Sequence, residues 1–382
     1  MHPNSLAQIN TPALVVDVAK VTSNVERMAA RLRQHQVGLR PHVKTAKCEA
    51  AAALMTQGQS GGIAVSTVAE AEFFFALGYR DITYAVGIAA GKLARLAELV
   101  ARGARVAVLI DHADQVDMVG RAAVAAGIGL DVLIEIDCDG RRAGLSPTSS
   151  ELVRVASAVS QRVGARLAGV LTHAGGSYAC ATTPDIVAMA RRECEAAVEA
   201  ATRLRAAGLA VSTVSVGSTP TALFGDAYAG VTEVRAGVYV FFDLVMANLG
   251  VCRIEDIALS VLCTVIGHQR DRNWLITDAG WTALSRDRGT REQPVDYGYG
   301  LVCDLRGEVV DDDLVVLSTS QEHGIVGPRS GAQLDLARFP IGSHLRVLPN
   351  HACATAAAHD GYHVVDGVDL RVTAYWERCR GW

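Results

Sequence analysis

The sequence predicts a (β/α)8 TIM-type barrel followed by a C-terminal all-β domain. Three observations support this prediction. The chain has 382 residues, a length that suits a barrel together with a second domain. Short β-rich runs alternate with longer runs rich in alanine and leucine as far as about residue 250, and the alternation stops after about residue 255. Half of the residues are hydrophobic, so the composition supports a large core.

Eight β-rich runs are separated by helical stretches such as PDIVAMARRECEAAVEAATRLRAAG. Alternating β and α units predict a parallel sheet, and eight units predict a closed barrel. An open, doubly wound sheet is the alternative, but no G-x-G-x-x-G motif follows the first run. The predicted strands are 37–43, 61–65, 81–86, 105–110, 130–136, 165–173, 211–216 and 233–242.

The rest of the chain has a different residue pattern. After about residue 255, β-rich runs are joined by polar turns without a long helical pattern, which predicts an all-β domain. The early run PALVVDV (12–18) precedes the first barrel helix, and we expect it to pair with the later strands. The predicted division is therefore a barrel at 25–250 and a β domain formed by 11–24 and 251–382.

Charge and cysteine content exclude several classes of protein. A net charge of −4 and a pI of about 6.3 argue against a nucleic-acid-binding surface. The nine cysteines are an odd number without the spacing of a disulfide framework, which indicates free thiols in a reducing cytoplasm. We see no apolar signal region at the N-terminus and no uninterrupted apolar run of membrane-spanning length. We therefore expect a cytoplasmic protein without a membrane or nucleic-acid partner.

Chemically active side chains are expected where the barrel strands end, because barrel active sites lie at the carboxyl ends of the strands. Small hydroxyl and glycine residues there can offer N–H groups to a phosphate, and a lysine can form a Schiff base. A lone lysine is more often a surface residue, and G-S-T-P alone is usually a turn. Their joint placement favours a phosphorylated aromatic cofactor. The candidates are Lys44 after the first strand, Arg142 after the fifth, His173 and Tyr178 after the sixth, Ser218 and Thr219 after the seventh, and Arg235 and Gly237 in the eighth.

A second candidate site lies in the β domain, where His351 and Cys353 stand in L-R-V-L-P-N-H-A-C-A-T. In an extended segment, residues two apart point to the same side, so one strand can present both side chains to one ion. Imidazole and thiolate are both good zinc ligands. The alternative is a core histidine beside a small buried cysteine.

Two segments, L-R-P-H-V-K-T-A-K (39–47) and P-N-H-A-C (349–353), resemble the D-serine dehydratase and D-threonine aldolase family. These are fold-type III enzymes dependent on pyridoxal 5'-phosphate (PLP), with an alanine-racemase-like barrel followed by a β domain. The resemblance extends from residue 11 to the C-terminal strands. It implies a homodimer that acts on a small D-amino acid.

The resemblance implies a role for most of the candidates. Lys44 carries PLP and, once released by the substrate, takes the α-proton. Tyr178, on the same turn as His173, is kept as a further cofactor-binding candidate. The other implied contacts are Arg142 near the phenolic oxygen, His173 stacked on the ring, Ser218, Thr219 and Gly237 at the phosphate, and Arg235 at the pyridine nitrogen.

The resemblance also implies that His351 and Cys353 bind a divalent cation, with Zn²⁺ or Mn²⁺ expected and Mg²⁺ or Co²⁺ as alternatives. A Lewis acid helps a β-hydroxyl to leave. The family's dehydratases resemble H-x-C in this segment and its aldolases more often H-x-D, so H-A-C favours β-elimination. The expected reaction converts a D-3-hydroxyamino acid, with D-threo-3-hydroxyaspartate favoured over D-serine or D-threonine, into a 2-oxo acid (here oxaloacetate) and ammonia.

Alternatives remain open at this point. The same metal can promote retro-aldol cleavage, which would make the protein a D-threonine aldolase. A non-catalytic PLP-homeostasis protein resembles the barrel alone, and the extra β domain argues against it. A racemase needs a tyrosine base on the opposite face of the cofactor, and Tyr297 and Tyr299 keep this possibility open. For a substrate β-carboxylate, the candidates by composition are Arg141, Arg286, Arg288 and Arg346.

Overall fold

The computed structural model describes residues 5–59 and 61–382. The chain forms two compact units. The first comprises the N-terminal segment up to residue 26 together with 48–51 and 238–378, and we call it the β unit. The second comprises 27–47, 52–237 and 379–382, and we call it the barrel unit.

Regular structure covers most of both units. The strands are β1 (Ala13–Asp17), β2 (Gly38–Pro41), β3 (Ile63–Val65), β4 (Asp81–Gly87), β5 (Arg105–Ile110), β6 (Leu130–Ile136), β7 (Ala165–Thr172), β8 (Thr213–Val216), β9 (Glu233–Ala236), β10 (Leu259–Gln269), β11 (Trp274–Thr277), β12 (Leu301–Cys303), β13 (Leu314–Thr319), β14 (Gly324–Pro328), β15 (His344–Leu348), β16 (Gly361–Val365) and β17 (Ala374–Glu377). The helices are α1 (Val18–Gln34), α2 (Glu49–Thr56), α3 (Val68–Ala76), α4 (Ala90–Ala101), α5 (Ala113–Ala125), α6 (Ser150–Gln161), α7 (Thr183–Ala206), α8 (Thr219–Phe224), α9 (Leu244–Asn248), α10 (Trp281–Leu284) and α11 (Ala352–Ala357).

The barrel unit contains one eight-stranded sheet of parallel strands in the order β2-β9-β8-β7-β6-β5-β4-β3. Its two edge strands are joined by a parallel bridge between His42 and Ala64, with the Val43 N–H donating to the Ala64 carbonyl at 3.0 Å. The sheet therefore nearly closes on itself, which confirms the predicted barrel.

Burial on both faces explains why the barrel strands read as almost continuous apolar runs. All seven residues of β6, LDVLIEI, are buried. Around the sheet, α7 is the longest helix described, with 24 residues. It begins at a capping box in which the Thr182 hydroxyl accepts the Asp185 N–H and the Asp185 carboxylate accepts the Thr182 N–H. A well-capped helix of this length is a rigid support for any side chain on its inner face.

The last predicted barrel strand, 233–242, was wrong in its second half. Strand β9 ends at Ala236, and a 3-10 turn covers Val238–Val240. A Cβ atom on Gly237 would lie 2.8 Å from the His42 carbonyl oxygen, so the chain turns through a position that only glycine fills easily. The residues from 238 to 242 are all buried. Their apolar composition therefore reflects burial and not a strand.

The β unit contains a nine-stranded sheet in the order β11-β14-β13-β12-β15-β10-β1-β16-β17. Its strand β1, from the N-terminal run, pairs antiparallel with β10 and parallel with β16. None of the nine cysteines, all of which the structure describes, forms a disulfide. Among residues 5–59 and 61–382, no helix combines the length and the hydropathy that a membrane crossing requires.

Candidate active site

Lys44 lies in the turn that directly follows β2, and its side chain is exposed. The turn is closed by the Lys47 N–H, which donates to the Val43 carbonyl at 2.8 Å. The Lys47 ammonium in turn lies 2.9 Å from a carboxylate oxygen of Glu70, a fully buried residue. These two contacts hold the turn that carries Lys44. Lys44 thus lies at the carboxyl end of a barrel strand, where the sequence predicted it.

His173 follows β7 directly, and its Nδ1 lies 3.0 Å from the Gly217 carbonyl oxygen. Burial, together with the positive charges of Lys44, Arg235 and Arg142, lowers the pKa of His173 to about 4 against the opposing hydrogen bond to the Gly217 carbonyl. The imidazole is therefore neutral at physiological pH, with its proton on Nδ1 donated to the carbonyl and its Nε2 lone pair free.

The same charges show which predicted residues the fold brings together. Burial lowers the pKa of His42, and the positive charges of Lys44 and Arg235 lower it further. The ring of Tyr178 lies 6.1 Å from that of His173, tilted by 48°. These residues come from three strands of one sheet, β2, β7 and β9, so the fold brings them together at the carboxyl end of the barrel.

Arg235 is buried within β9 and held by two hydrogen bonds. Its Nη1 donates to the Ser215 hydroxyl and its Nη2 to the Thr172 carbonyl, each at 2.5 Å. The Ser215 hydroxyl donates onward to Glu233 at 2.6 Å. Burial lowers the pKa of Arg235 to about 10, so the guanidinium remains a cation at neutral pH and keeps a fixed orientation.

The turn after β8 contains an unusual buried hydroxyl. Ser218 caps α8, because its hydroxyl accepts the Thr221 N–H while its own N–H donates to the Thr221 hydroxyl at 2.9 Å. The Thr219 hydroxyl is buried and has no hydrogen-bond partner within the described part of the chain. An unsatisfied buried hydroxyl costs about 1–3 kcal/mol, so this position fits a ligand that supplies an acceptor, such as a phosphate oxygen. Both polar groups of Ser218, in contrast, are already used inside the protein.

Sequence reasoning missed Glu193, which lies almost fully buried on α7. One of its carboxylate oxygens accepts the N–H groups of Ala174 at 2.8 Å and Gly217 at 3.0 Å, and the other accepts the Thr221 hydroxyl at 2.7 Å. Burial raises the pKa of this carboxyl, and its hydrogen bonds oppose the rise. The signal was available, because Glu193 stands on the apolar stripe of α7, three residues after the buried Ala190.

A cleft of about 210 Å³ opens beside β6 and β7. Arg142 lines it, with its Nη2 3.1 Å from a carboxylate oxygen of Glu135 and its side chain 60% exposed. Arg141 is the one arginine suggested for a substrate carboxylate that also lines this cleft. The complete lining is Glu135, Ile136, Asp137, Cys138, Asp139, Arg141, Arg142, Ala143, His173 and Gly175.

The other suggested arginines belong to the β unit. Arg346 is buried in β15, where its Nε donates to the Ser260 hydroxyl at 2.8 Å, so it is part of the core. Arg288 pairs with Asp296 at 2.6 Å, and the guanidinium of Arg286 lies 4.1 Å from the centre of the Trp281 ring.

The H-A-C segment of the β unit is not extended, which corrects the local structure expected for it. Strand β15 ends at Leu348, His351 occupies the position just before α11 without a capping hydrogen bond from its side chain, and Cys353 lies in the first turn of that helix. The alanine-rich run ACATAA favours a helix over a strand. The two side chains nevertheless meet, because His351 and Cys353 share a hydrogen bond.

His351 is oriented by Asp287, another residue that sequence reasoning missed. Nδ1 of His351 lies 2.6 Å from Oδ2 of Asp287. Burial lowers the pKa of His351, but the hydrogen bonds to Asp287 and Cys353 outweigh this effect and raise it to about 11. Within the described residues, no group of three or more His, Cys, Asp or Glu side chains is arranged to hold a metal. The donor set on offer is thus one imidazole nitrogen and one sulfur.

Comparisons with known proteins agree with both halves of the chain. The alanine racemase N-terminal domain matches residues 16–245, and the putative serine dehydratase domain matches residues 258–365. The D-threo-3-hydroxyaspartate dehydratase of Delftia sp. (strain HT23) is 48% identical over 99% of this chain and 100% of its own length. The D-serine dehydratase of Dictyostelium discoideum is 31% identical over 97% of both chains. The D-threonine aldolase of Arthrobacter sp. is 33% identical over 97% of this chain and 93% of its own.

Solved structures extend the likeness to three dimensions. The D-threo-3-hydroxyaspartate dehydratase from Delftia sp. HT23 has a TM-score of 0.96 at 47% identity and covers 100% of both chains. Two mutants of D-threo-3-hydroxyaspartate dehydratase superpose equally well, the H351A mutant and the C353A mutant in the metal-free form. They cover 99% and 100% of this chain, and 97% and 100% of their own.

Similarity of this extent, with the barrel and the β domain both matched, identifies the family. The chain belongs to the fold-type III PLP-dependent enzymes with an alanine-racemase-like barrel that include the D-serine dehydratases and D-threonine aldolases.

Proposed function

We propose that this protein is a PLP- and divalent-metal-dependent lyase that eliminates water from a D-3-hydroxyamino acid. The favoured substrate is D-threo-3-hydroxyaspartate, which yields oxaloacetate and ammonia. The observation that carries the proposal is the pair of His351 and Cys353, an imidazole and a thiol in contact with each other beside the orienting carboxylate of Asp287. The Delftia enzyme, 48% identical over its full length, catalyses the reaction that its name states, and this supports the substrate.

Bound PLP withdraws electrons from the α-carbon and so makes its hydrogen acidic. The residues of the barrel unit that we propose to hold it are Lys44 as the Schiff-base lysine, Arg142 near the phenolic oxygen, His173 and Tyr178 beside the ring, and Thr219, Gly237 and Ser218 at the phosphate end. The buried hydroxyl of Thr219, which has no hydrogen-bond partner in the part of the chain that the structure describes, supports the phosphate assignment. Ser218 acts there as the cap that shapes the turn, since its own polar groups are occupied.

Two cationic side chains have different tasks in this proposal. Arg235 faces the ring nitrogen as a hydrogen-bond donor, and a permanent cation there disfavours protonation of that nitrogen. Its two fixed hydrogen bonds support a constant orientation. Lys44, once free, takes the α-proton at its ε-nitrogen. Arg141 is our candidate for the β-carboxylate of the substrate, because it lines the cleft that also contains Arg142 and His173.

For the metal, we propose His351 and Cys353 as the protein ligands. A divalent ion there would supply Lewis acidity to the departing β-hydroxyl. Support comes from the named mutants of D-threo-3-hydroxyaspartate dehydratase, H351A and C353A, which repeat this histidine and cysteine at the same numbers, the second in a metal-free form. Nitrogen and sulfur donors suit Zn²⁺, and Mn²⁺ is the second candidate.

A product assay tests the proposed reaction. The PLP-loaded protein is incubated with D-threo-3-hydroxyaspartate, D-serine and D-threonine, and the products are separated. We expect oxaloacetate and ammonia from the first substrate, with activity lost in EDTA and restored by added Zn²⁺ or Mn²⁺. Glycine and glyoxylate instead would show that the Cα–Cβ bond breaks. Full activity after EDTA treatment in a metal-free sample would refute the metal requirement.

One observation favours a second function, namely the 33% identity to a D-threonine aldolase over 97% of this chain. D-threonine distinguishes the two directly. An aldolase releases glycine and acetaldehyde from it, whereas a dehydratase releases 2-oxobutanoate and ammonia. A non-catalytic PLP-homeostasis protein is disfavoured by the match of the serine dehydratase domain to residues 258–365.

We further propose a homodimer in a reducing cytoplasm. The nine cysteines, all of them among the described residues, form no disulfide, which supports the compartment because cysteines stay reduced there. The dimer follows from the family resemblance. Light scattering after size-exclusion chromatography measures the subunit number directly, and a monomeric mass at full activity would refute the dimer.

A further inference from the structure

We propose that Glu193 is a positioning residue, which holds the His173 imidazole and the Thr219 turn in place for the ring and the phosphate of PLP. This inference rests on the proposed cofactor site. Glu193 touches neither substrate nor cofactor in it, and acts only through the loops that follow β7 and β8.

The argument begins with three hydrogen bonds to a side chain that is 1% exposed. One oxygen of Glu193 accepts the N–H groups of both Ala174 and Gly217, at 2.8 and 3.0 Å. The other accepts the Thr221 hydroxyl at 2.7 Å. Ala174 follows β7, whereas Gly217 and Thr221 follow β8. One carboxylate therefore ties together two loops that are distant in sequence.

The first consequence concerns His173. The next residue, Ala174, donates its N–H to one carboxylate oxygen of Glu193. The Nδ1 of His173 donates to the Gly217 carbonyl. The N–H of Gly217 donates to the same oxygen of Glu193. Glu193 therefore holds both the backbone that follows His173 and the residue whose carbonyl accepts the hydrogen bond from its ring. If Glu193 were absent, Ala174 and Gly217 would each have a buried N–H without its acceptor, which the two loops can remedy only by moving.

The second consequence concerns the phosphate turn. The Thr221 hydroxyl donates to Glu193 and accepts the N–H of Ser218, and Ser218 caps α8. Glu193 therefore fixes the direction of the hydroxyl that shapes this turn. Thr219, whose buried hydroxyl has no hydrogen-bond partner among residues 5–59 and 61–382, lies inside the turn. Glu193 lies on the capped 24-residue helix α7. The loops after β7 and β8 are therefore both held by one rigid helix.

The chemistry of the contacts explains why a carboxylate stands here. A buried charge or dipole is costly unless it is hydrogen-bonded, and three donors compensate Glu193. Glutamine keeps one acceptor oxygen at the same reach for the two N–H groups, and its amide can turn toward Thr221. Alanine removes all three bonds. Geometry, rather than charge, is what the proposal requires.

The test compares Glu193→Ala and Glu193→Gln with the wild type, and uses Glu199→Gln as the matched control because Glu199 is exposed on the same helix. Cofactor-depleted protein is titrated with PLP to obtain the dissociation constant, and the visible spectrum, kcat and KM are recorded at saturating PLP. For Glu193→Ala, which removes all three hydrogen bonds, we expect the PLP dissociation constant to rise about tenfold or more, because the loss of a single charge-assisted hydrogen bond already has an effect of about that size. We also expect a changed cofactor spectrum and a lower kcat at saturation.

Glu193→Gln should recover most of the affinity and the wild-type spectrum, and Glu199→Gln should match the wild type throughout. If Glu193→Ala at saturating PLP has the wild-type spectrum, kcat and KM and only a lower melting temperature, its role is merely structural and the proposal is wrong. A glutamine variant as impaired as the alanine variant would also overturn it.

Should Glu193→Ala not fold, Thr221→Val takes its place, because with little change of volume it removes the bond from the Thr221 hydroxyl to Glu193, together with the bond that this hydroxyl accepts from the Ser218 N–H. An altered spectrum and weaker PLP binding would support the proposal, and wild-type values would overturn it. A wild-type protein that binds no PLP would refute the proposed function itself. Normal PLP binding by the wild type and by every variant would refute only the role of Glu193.

Discussion

In the β unit, Nδ1 of His351 lies 2.6 Å from Oδ2 of Asp287, a residue 64 positions earlier in the chain. A carboxylate bound to one ring nitrogen of a histidine fixes the tautomer and the direction of the ring, and leaves the other nitrogen for a metal. The contact is therefore what a metal-binding histidine needs, and it joins the H-A-C segment to the R-D-R segment that contains Asp287.

The first prediction is that Asp287→Ala weakens divalent metal binding by about 10–100-fold, the usual effect of removing such a partner. Without the carboxylate, His351 loses both its fixed tautomer and its orientation. Calorimetric titration of the metal-depleted protein with Zn²⁺ measures the change in affinity. Glu292→Gln is the control, since its side chain is 93% exposed. Equal Zn²⁺ affinity in the wild type and Asp287→Ala would contradict the role of this contact.

The second prediction concerns Lys44. Lys44→Ala should abolish the absorbance near about 420 nm that a PLP–lysine Schiff base gives. It should also lower kcat by about 10²–10⁴-fold, since a general base is removed. Lys92→Ala is the control, because the Lys92 ammonium instead donates to the Tyr84 hydroxyl at 2.9 Å. A surviving 420-nm band in the Lys44 variant would place the Schiff base on another lysine.

The third prediction is that Cys353→Ala separates the two cofactors. The variant should lose bound metal and about 10²-fold or more in turnover, the scale of Lewis-acid assistance, while it keeps the colour of bound PLP. Metal analysis and a visible spectrum of the same sample measure both properties. Cys252→Ala, which alters another cysteine of the β unit, should retain both cofactors. Full activity of Cys353→Ala would return Cys353 to the alternative of a small core residue.

The fourth prediction follows from the lowered pKa of His173. Folding keeps this imidazole neutral down to a pKa of about 4, whereas the unfolded chain takes up the proton near 6.5. Its contribution to stability is therefore fully present above pH 6.5 and is lost as the pH falls toward 4. The loss has an upper limit of about 3 kcal/mol. Urea unfolding of the cofactor-free wild type and of His173→Asn, at pH 7.5 and pH 5, measures it as a difference. Equal losses in both proteins would show that His173 is not held neutral.

Much of the fold could be predicted from local patterns. The eight barrel strands were recognisable because each is a short apolar run bounded by a helix pattern, and their positions agree with β2–β9. The overrun after Ala236 shows the limit of this method, because a buried apolar segment has the same composition whether or not it is a strand. The H-A-C segment was misjudged for a related reason, since the end of β15 at Leu348 is set by pairing partners far away in sequence.

The sequence by itself determined the fold class, the position of Lys44 at the end of the first barrel strand, and the H-A-C pair as a metal candidate. The first two conclusions rest on periodicity and residue type, which are local properties, whereas the metal role of the pair also needed the family resemblance of its segment. Only the tertiary structure decided that Glu193 and Asp287 support the two sites, and that both polar groups of Ser218 are occupied. A buried carboxylate acquires its role from donors on other loops, and no local pattern records which N–H groups the fold will bring to it. The fold also places Lys44 near His42 and His173, because the positive charge of Lys44 contributes to the lowered pKa of both histidines.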